Sequence, residues 1–217
     1  DTVSHEFRTP LTSIQGYTSR LLRQDIKIDE ETRVKSLKII KKQSERLKRM
    51  IEDLLVIPDI EGARLNVNLI NIPINSVVES SIMLVRNDAN KEIINKVKDC
   101  EIEILADTDR IEQVFVNLIE NAIKYSKDDS PITLDYEIRD EKLVVSVQNA
   151  YDVIPREKLK TLFDKFTRVD DKTTRTTRGT GLGLFIVKGL VEAMNGEIRL
   201  YSNEDCGFCV KVFMPIA

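Results

Sequence analysis

At 217 residues the chain has room for one large domain or two small ones, and its 33 basic against 36 acidic residues leave a formal charge of −3. That near balance, in a chain without tryptophan, gives no nucleic-acid surface, and no apolar run approaches the roughly 18 residues that a membrane-crossing helix needs. The sequence therefore reads as soluble, with no signal peptide ahead of Asp1, and any membrane contact is expected only through segments outside it.

The first predicted element is a helix carried to Gln24. Val3, Phe7, Leu11, Ile14, Leu21 and Leu22 recur at helical spacing, which turns His5, the only histidine, outward beside an apolar stripe. A neutral imidazole keeps one ring lone pair that can attack phosphorus, and the adjacent Glu6 carboxylate is the candidate to take the other ring proton. A surface histidine on an amphipathic helix is the other reading of the same residues. Pro10 lacks the amide hydrogen that would bond the Glu6 carbonyl, at a cost of about 3 kcal/mol inside a helix, which predicts a kink just after the histidine.

A polar connector, Asp25 to Asp29, leads to a second helix from Glu30. Leu37, Ile40, Ser44, Leu47, Ile51 and Leu54 form a heptad stripe on it. Two such helices make an antiparallel hairpin that leaves part of each stripe in water, so pairing with a second copy into a four-helix bundle is expected; packing on the downstream region is the other solution. Lys35, Lys38, Lys41, Lys42, Arg46, Lys48 and Arg49 interleave with the stripe and read as a solvated face. Pro58 is expected to end the helix, with a linker from Asp59 to Asn66, giving a hairpin over 1–60 and a second domain over 61–217.

Beyond the linker the periods mix. Strands are expected at Asn68 to Ile72 and Glu101 to Leu105, and helices at Asn75 to Asn90 and Thr108 to Tyr125. Ile132 to Arg139 and Leu143 to Asn149 alternate as an antiparallel pair about Asp140 and Glu141. A short helix, Arg156 to Lys165, precedes a charged loop, a helix from Leu182 to Met194, and strands Glu197 to Ser202 and Phe208 to Met214. This grouping predicts an α+β sandwich. An odd count of three cysteines, Cys100, Cys206 and Cys209, suits a reducing compartment. Cys206 and Cys209 have redox-motif spacing but sit in a predicted turn.

Two stretches of the second domain carry further chemistry. On the helix from Thr108, Asn117, Asn121 and Lys124 share one face, because residues three and four apart are neighbours. Carboxamide oxygens suit Mg²⁺ and an ammonium suits phosphate; a polar surface stripe would look the same. Arg178-Gly179-Thr180-Gly181-Leu182-Gly183-Leu184 opens a helix, where glycines allow close backbone approach and the helix terminus favours an anion.

Ser4-His5-Glu6-Phe7-Arg8-Thr9-Pro10-Leu11 resembles the phosphoacceptor box of sensor histidine kinases, with Phe7 for leucine the one departure. The resemblance implies that His5 is phosphorylated, that Glu6 is its general base, and that Thr9 helps position water for dephosphorylating the partner. Asn117 to Ser126 resembles the N box of the kinase ATP-binding domain, which implies that Asn121 is the magnesium ligand, with Asn117, Lys124 and Tyr125 beside the nucleotide. Gly179, Thr180, Gly181, Leu182 and Gly183 match the second glycine box. Phe163 and Phe166 match the aromatic box, and Thr167 to Arg178 resembles the ATP lid, with Arg168, Arg175 and Arg178 as phosphate contacts. The implied fold is a hairpin that dimerises into a four-helix bundle, followed by an ATP-binding sandwich of the histidine kinase, gyrase and Hsp90 type.

The first glycine box departs from the family form, Asp-x-Gly-x-Gly-Ile. Here Asn149 stands for the adenine-binding aspartate, and Tyr151 and Val153 stand for the glycines. A β-branched valine at positive φ would be an outlier, so the loop is expected to take another course. The sequence as a whole reads as an ATP- and Mg²⁺-dependent protein-histidine kinase core, homodimeric, with the receiver domain of a response regulator as partner, forming the cytoplasmic portion of a membrane-anchored sensor. The alternative is a homologue that binds nucleotide poorly and acts as a scaffold or as a phosphatase of its regulator.

Overall fold

A computed structural model describes residues 2–23, 25, 27–86, 91–127, 129–167 and 180–217. The chain divides into two units between Ile57 and Pro58.

The first unit is helical. α1 runs Thr2–Leu21 and α2 runs Glu30–Glu61. Asp29 caps α2: its carboxylate accepts from the Thr32 amide at 2.7 Å and from the Thr32 hydroxyl at 2.9 Å, which holds the carboxyl below its ordinary range. Glu30 and Glu31 add negative charge at the positive end of the helix. Two sequence expectations change here. α1 stops at Leu21, and Gln24 lies outside the described residues. Pro58 does not end α2, which continues to Glu61, because a proline gives up its own N–H but keeps its carbonyl. That carbonyl accepts from Gly62 at 3.0 Å, and Ala63, at φ 48°, makes the actual stop.

In the second unit the elements are β1 (Ile70–Pro73), α3 (Ile74–Arg86), β2 (Ile93–Asn95), a 3₁₀ turn (Val97–Asp99), β3 (Glu103–Ala106), α4 (Thr108–Tyr125), β4 (Ile132–Arg139) and β5 (Lys142–Asn149). α5 (Arg156–Thr161), α6 (Gly183–Ala193), β6 (Glu197–Asn203) and β7 (Gly207–Pro215) follow. β2 and the 3₁₀ turn were not expected, and α5 is shorter than its pattern predicted; the expected end of α3, Asn87 to Asn90, lies outside the described residues. β2, three residues long, is too short to show a period of its own.

Five strands form one sheet in the order β2-β4-β5-β7-β6, with β2 parallel to β4 and the other pairs antiparallel. β1 and β3 form a separate antiparallel pair. The expected hairpin at Asp140 and Glu141 is present, with both residues at positive φ, 50° and 59°, the turn geometry that matches strand twist. α4 packs on α3, α6 and β5, and α6 also packs on β6. Alternation then decides the core. Leu143, Val145, Val147, Val210, Val212 and Met214 point inward against Ile111, Phe115, Leu118, Ile186 and Leu190, all buried. This is the α+β sandwich that the sequence predicted.

Candidate functional site

His5 lies exposed on α1, and the helix runs through Pro10 without interruption. Two threonine hydroxyls donate to carbonyls one turn back in this stretch, Thr9 to His5 at 3.2 Å and Thr12 to Arg8 at 2.8 Å. Glu6 points elsewhere. Adjacent helical residues diverge by about 100°, and the Glu6 side chain, 9% exposed, meets Arg46 of α2 at 3.1 Å. Arg46 therefore is not simply part of the solvated basic face; its guanidinium reaches the largely buried Glu6 carboxylate across the hairpin. Of the predicted heptad stripe, Leu37 and Ile51 are 51% and 45% exposed, while Ile40, Leu47 and Leu54 are half-buried.

The second site is built on α4. Asp107 caps this helix by accepting from the Arg110 amide, and its other oxygen accepts from the Asn68 amide at 2.8 Å. The apolar face of α4 is buried, which leaves Asn117, Asn121 and Lys124 half-buried on the rim. Asn117 is steadied by donating to the Gln113 carbonyl at 2.9 Å. Gly183, the first residue of α6, faces both carboxamides: a β-carbon placed there would stand 3.5 Å from Asn121 Nδ2 and 3.6 Å from Asn117 Oδ1. The N-box and glycine-box residues, some sixty positions apart in sequence by their numbers, are thus neighbours.

Gly181 closes the same corner. At φ +71° it accepts from the Phe166 amide at 3.0 Å, and a β-carbon would fall 2.8 Å from the Phe166 carbonyl carbon. The second glycine box is therefore joined to the aromatic box through backbone, with Phe166 itself at φ 64°. Leu182 is fully buried. Arg168, Arg175, Arg178 and Gly179 lie outside the described residues.

Lys124 donates to the Tyr125 hydroxyl at 2.9 Å and lies 4.6 Å from that ring's centre. Asn149 ends β5, buried, between Ile132 and Phe208, with its amide nitrogen 3.4 Å from the Ala150 carbonyl. Neither Tyr151 nor Val153 takes a positive φ, so the loop follows another course, as expected. Lys91 was not anticipated: its ammonium donates to the Ser126 and Lys127 carbonyls, each at 2.7 Å, at the C-terminal end of α4. Only the folded chain brings it there, and no spacing in the sequence signals it.

All three cysteines are free. Burial, the larger cause, pushes the Cys209 thiol up to about 11, so it is protonated at neutral pH and poorly suited to redox chemistry. No metal-binding group of histidine, cysteine and carboxylates occurs among the described residues. Asn117 and Asn121 offer carboxamide oxygens, the kind of ligand that suits Mg²⁺.

Residues 1–63 match the family model of the His Kinase A (phospho-acceptor) domain. Residues 106–217 match that of the histidine kinase-, DNA gyrase B-, and HSP90-like ATPase. The sensor protein SrrB of Staphylococcus aureus is 33% identical over 98% of the chain, and the chain spans 37% of that relative's length. Among solved structures, the histidine kinase AdeS of Acinetobacter baumannii matches at 25% identity with a TM-score of 0.69, over 98% of both chains. Full-length ShkA, solved in complex with AMPPNP, matches at 26% identity and a TM-score of 0.71, over the whole of this chain and 45% of its own.

Proposed function

The chain belongs to the sensor histidine kinases, and from that premise we propose that it is a catalytic core which phosphorylates His5 from ATP and passes the phosphoryl group to an aspartate of a response regulator. Residues 1–60 serve as the dimerisation and phosphotransfer hairpin, and 61–217 as the ATP-binding domain. The observation that carries the reading is the meeting of the two nucleotide motifs at Gly183, between the carboxamides of Asn117 and Asn121.

In the proposed reaction a ring nitrogen of neutral His5 attacks the γ-phosphorus. The new N–P bond forms as the bond to the ADP oxygen breaks, and Glu6 takes the other ring proton after turning away from Arg46. Asn121, supported by Asn117, holds Mg²⁺, which supplies charge neutralisation for the phosphates. Lys124, Tyr125, Thr180, Gly181, Leu182 and Gly183 line the nucleotide; Arg168, Arg178 and Gly179 complete that set on the sequence pattern. Asn149 accepts from the adenine amino group. Thr9 positions water when the regulator is dephosphorylated.

A homodimer buries Leu37 and Ile51, which one copy leaves in water. No described helix is long and apolar enough to cross a membrane. The proposed setting is the cytoplasmic portion of a membrane-anchored sensor, attached through segments outside this chain. The reading as a nucleotide-poor scaffold or phosphatase gains no support from the relatives.

Incubation with γ-labelled ATP and Mg²⁺ tests the proposal. Acid-labile label on the chain that is missing from His5→Gln is expected. A folded dimer that takes up no label, or one labelled equally in both proteins, refutes it.

A further inference from the structure

We propose that Gly207, on the last hairpin of the sheet, is a positioning residue of the nucleotide site that does the work of the two glycines missing from the first glycine box. The inference rests on the nucleotide reading above and names a residue which that reading does not contain.

In the family form, glycines two and four residues after the adenine-binding position let that loop turn tightly. Tyr151 and Val153 hold those positions here and stay out of the positive-φ region. The backbone is nevertheless in close contact with a neighbour, and the missing side chain is on the neighbour. Gly207 has φ +64°, and a β-carbon on it would lie 2.6 Å from the Asn149 oxygen, 2.8 Å from the Tyr151 nitrogen and 3.1 Å from the Ala150 α-carbon. All three are backbone atoms, which no side-chain rotation can move aside. Any residue but glycine at 207 must displace the loop.

Independent hydrogen bonds tie the same loop to the same hairpin. Gln148 donates from Nε2 to the Cys206 carbonyl at 3.1 Å. The Ser202 hydroxyl donates to the Gly207 carbonyl and accepts from the Ile154 amide, both at 2.9 Å. The hairpin tip is itself held by Asn203, which accepts from the Cys206 amide at 2.8 Å. On its other side the loop is fixed to the end of α4: the Ala150 carbonyl accepts from the Lys127 amide at 2.9 Å, and Lys127 pairs with Asp152 at 2.6 Å. The segment from Gln148 to Ile154 is thus clamped between the N-box helix and the β6–β7 hairpin, and Asn149 takes its place from both.

Mg²⁺·ATP binding by calorimetry, and the KM and kcat of His5 phosphorylation, would be measured on the intact chain and on variants shown to unfold cooperatively. Gly207→Ala is expected to raise the ATP dissociation constant and KM about tenfold while kcat at saturation holds. Tyr151→Gly with Val153→Gly, added to Gly207→Ala, is expected to restore most of the affinity, a rescue that general loss of packing would not give. Ser202→Ala, which removes the bridging hydroxyl without adding bulk, is expected to weaken ATP about threefold. A folded Gly207→Ala that binds as the parent overturns the inference, as does failure of the glycine pair to rescue. Should Gly207→Ala not fold, Ser202→Ala decides, and unchanged binding there overturns the inference. A parent chain that binds no ATP overturns the nucleotide reading itself, and this inference with it.

Discussion

The Arg46 guanidinium meets the Glu6 carboxylate at 3.1 Å from the opposite helix of the hairpin, with 29% and 9% of the two side chains exposed. Removing the cation leaves a buried carboxylate without it, the costly half of such a pair. Arg46→Met is expected to destabilise the hairpin by about 2 kcal/mol, reduced from the fully buried case because Arg46 reaches solvent. Glu6→Gln in the same chain is expected to recover most of that loss. Urea unfolding at fixed protein concentration measures both, and a loss for Arg46→Met under about 0.5 kcal/mol would mean that the pair is screened as at a surface.

Gly183 separates stability from binding. A β-carbon there stands at ordinary contact distance, 3.5 and 3.6 Å from the two carboxamides, and alanine is favoured over glycine within helices by about 1 kcal/mol. Gly183→Ala should fold at least as stably as the parent, whereas Gly183→Val should lose about tenfold or more in Mg²⁺·ATP affinity by filling the space before Asn121. Thermal melts beside calorimetric titration distinguish these effects. Equal affinity in the valine variant would remove Gly183 from the site.

Gly181 gives the opposite result. Its φ of +71° and the 2.8 Å approach to the Phe166 backbone leave no room for alanine. Gly181→Ala is expected to cost about 1–3 kcal/mol from the left-handed conformation and the contact together. Denaturant titration would show the shift in midpoint, and an unchanged midpoint would contradict the close approach.

Cys209 gives a pH signature. Burial raises its thiol to about 11 from an ordinary value of 9.0, so the folded state binds the proton more tightly than the unfolded chain. Stability from this group is full below about pH 9 and is lost as pH rises toward about 11, by roughly 2 kcal/mol. At pH 8 alkylation of Cys209 should be much slower in the folded chain than in urea. Cys209→Ala should flatten the stability profile over that alkaline window, and a profile that keeps its slope would assign the loss to other groups.

Local pattern revealed most of the fold. α4 was legible to the residue because its apolar face and its polar rim both recur at helical spacing. β4 and β5 were legible because alternation and a two-residue turn fall in register. Pro58 misled because a proline's cost is local, while the helix around it is held at both ends by other bonds. β2 was missed because its pairing with β4 comes from the sheet and not from its own three residues.

Chemistry tied to residue type was determined by the sequence alone: the lone histidine beside a carboxylate, the carboxamides on one helical face, the glycines at a helix start, and the departure at Tyr151 and Val153. Such features depend on spacing of a few residues, which the helix and strand periods turn directly into geometry. Only the tertiary structure decided which groups face one another. Arg46 reaching Glu6, Lys91 reaching the end of α4, and Gly207 lying against Asn149 and Tyr151 are meetings between residues 35 or more positions apart. No periodicity encodes them, because each is fixed by how whole elements pack, and packing is a property of the assembled core.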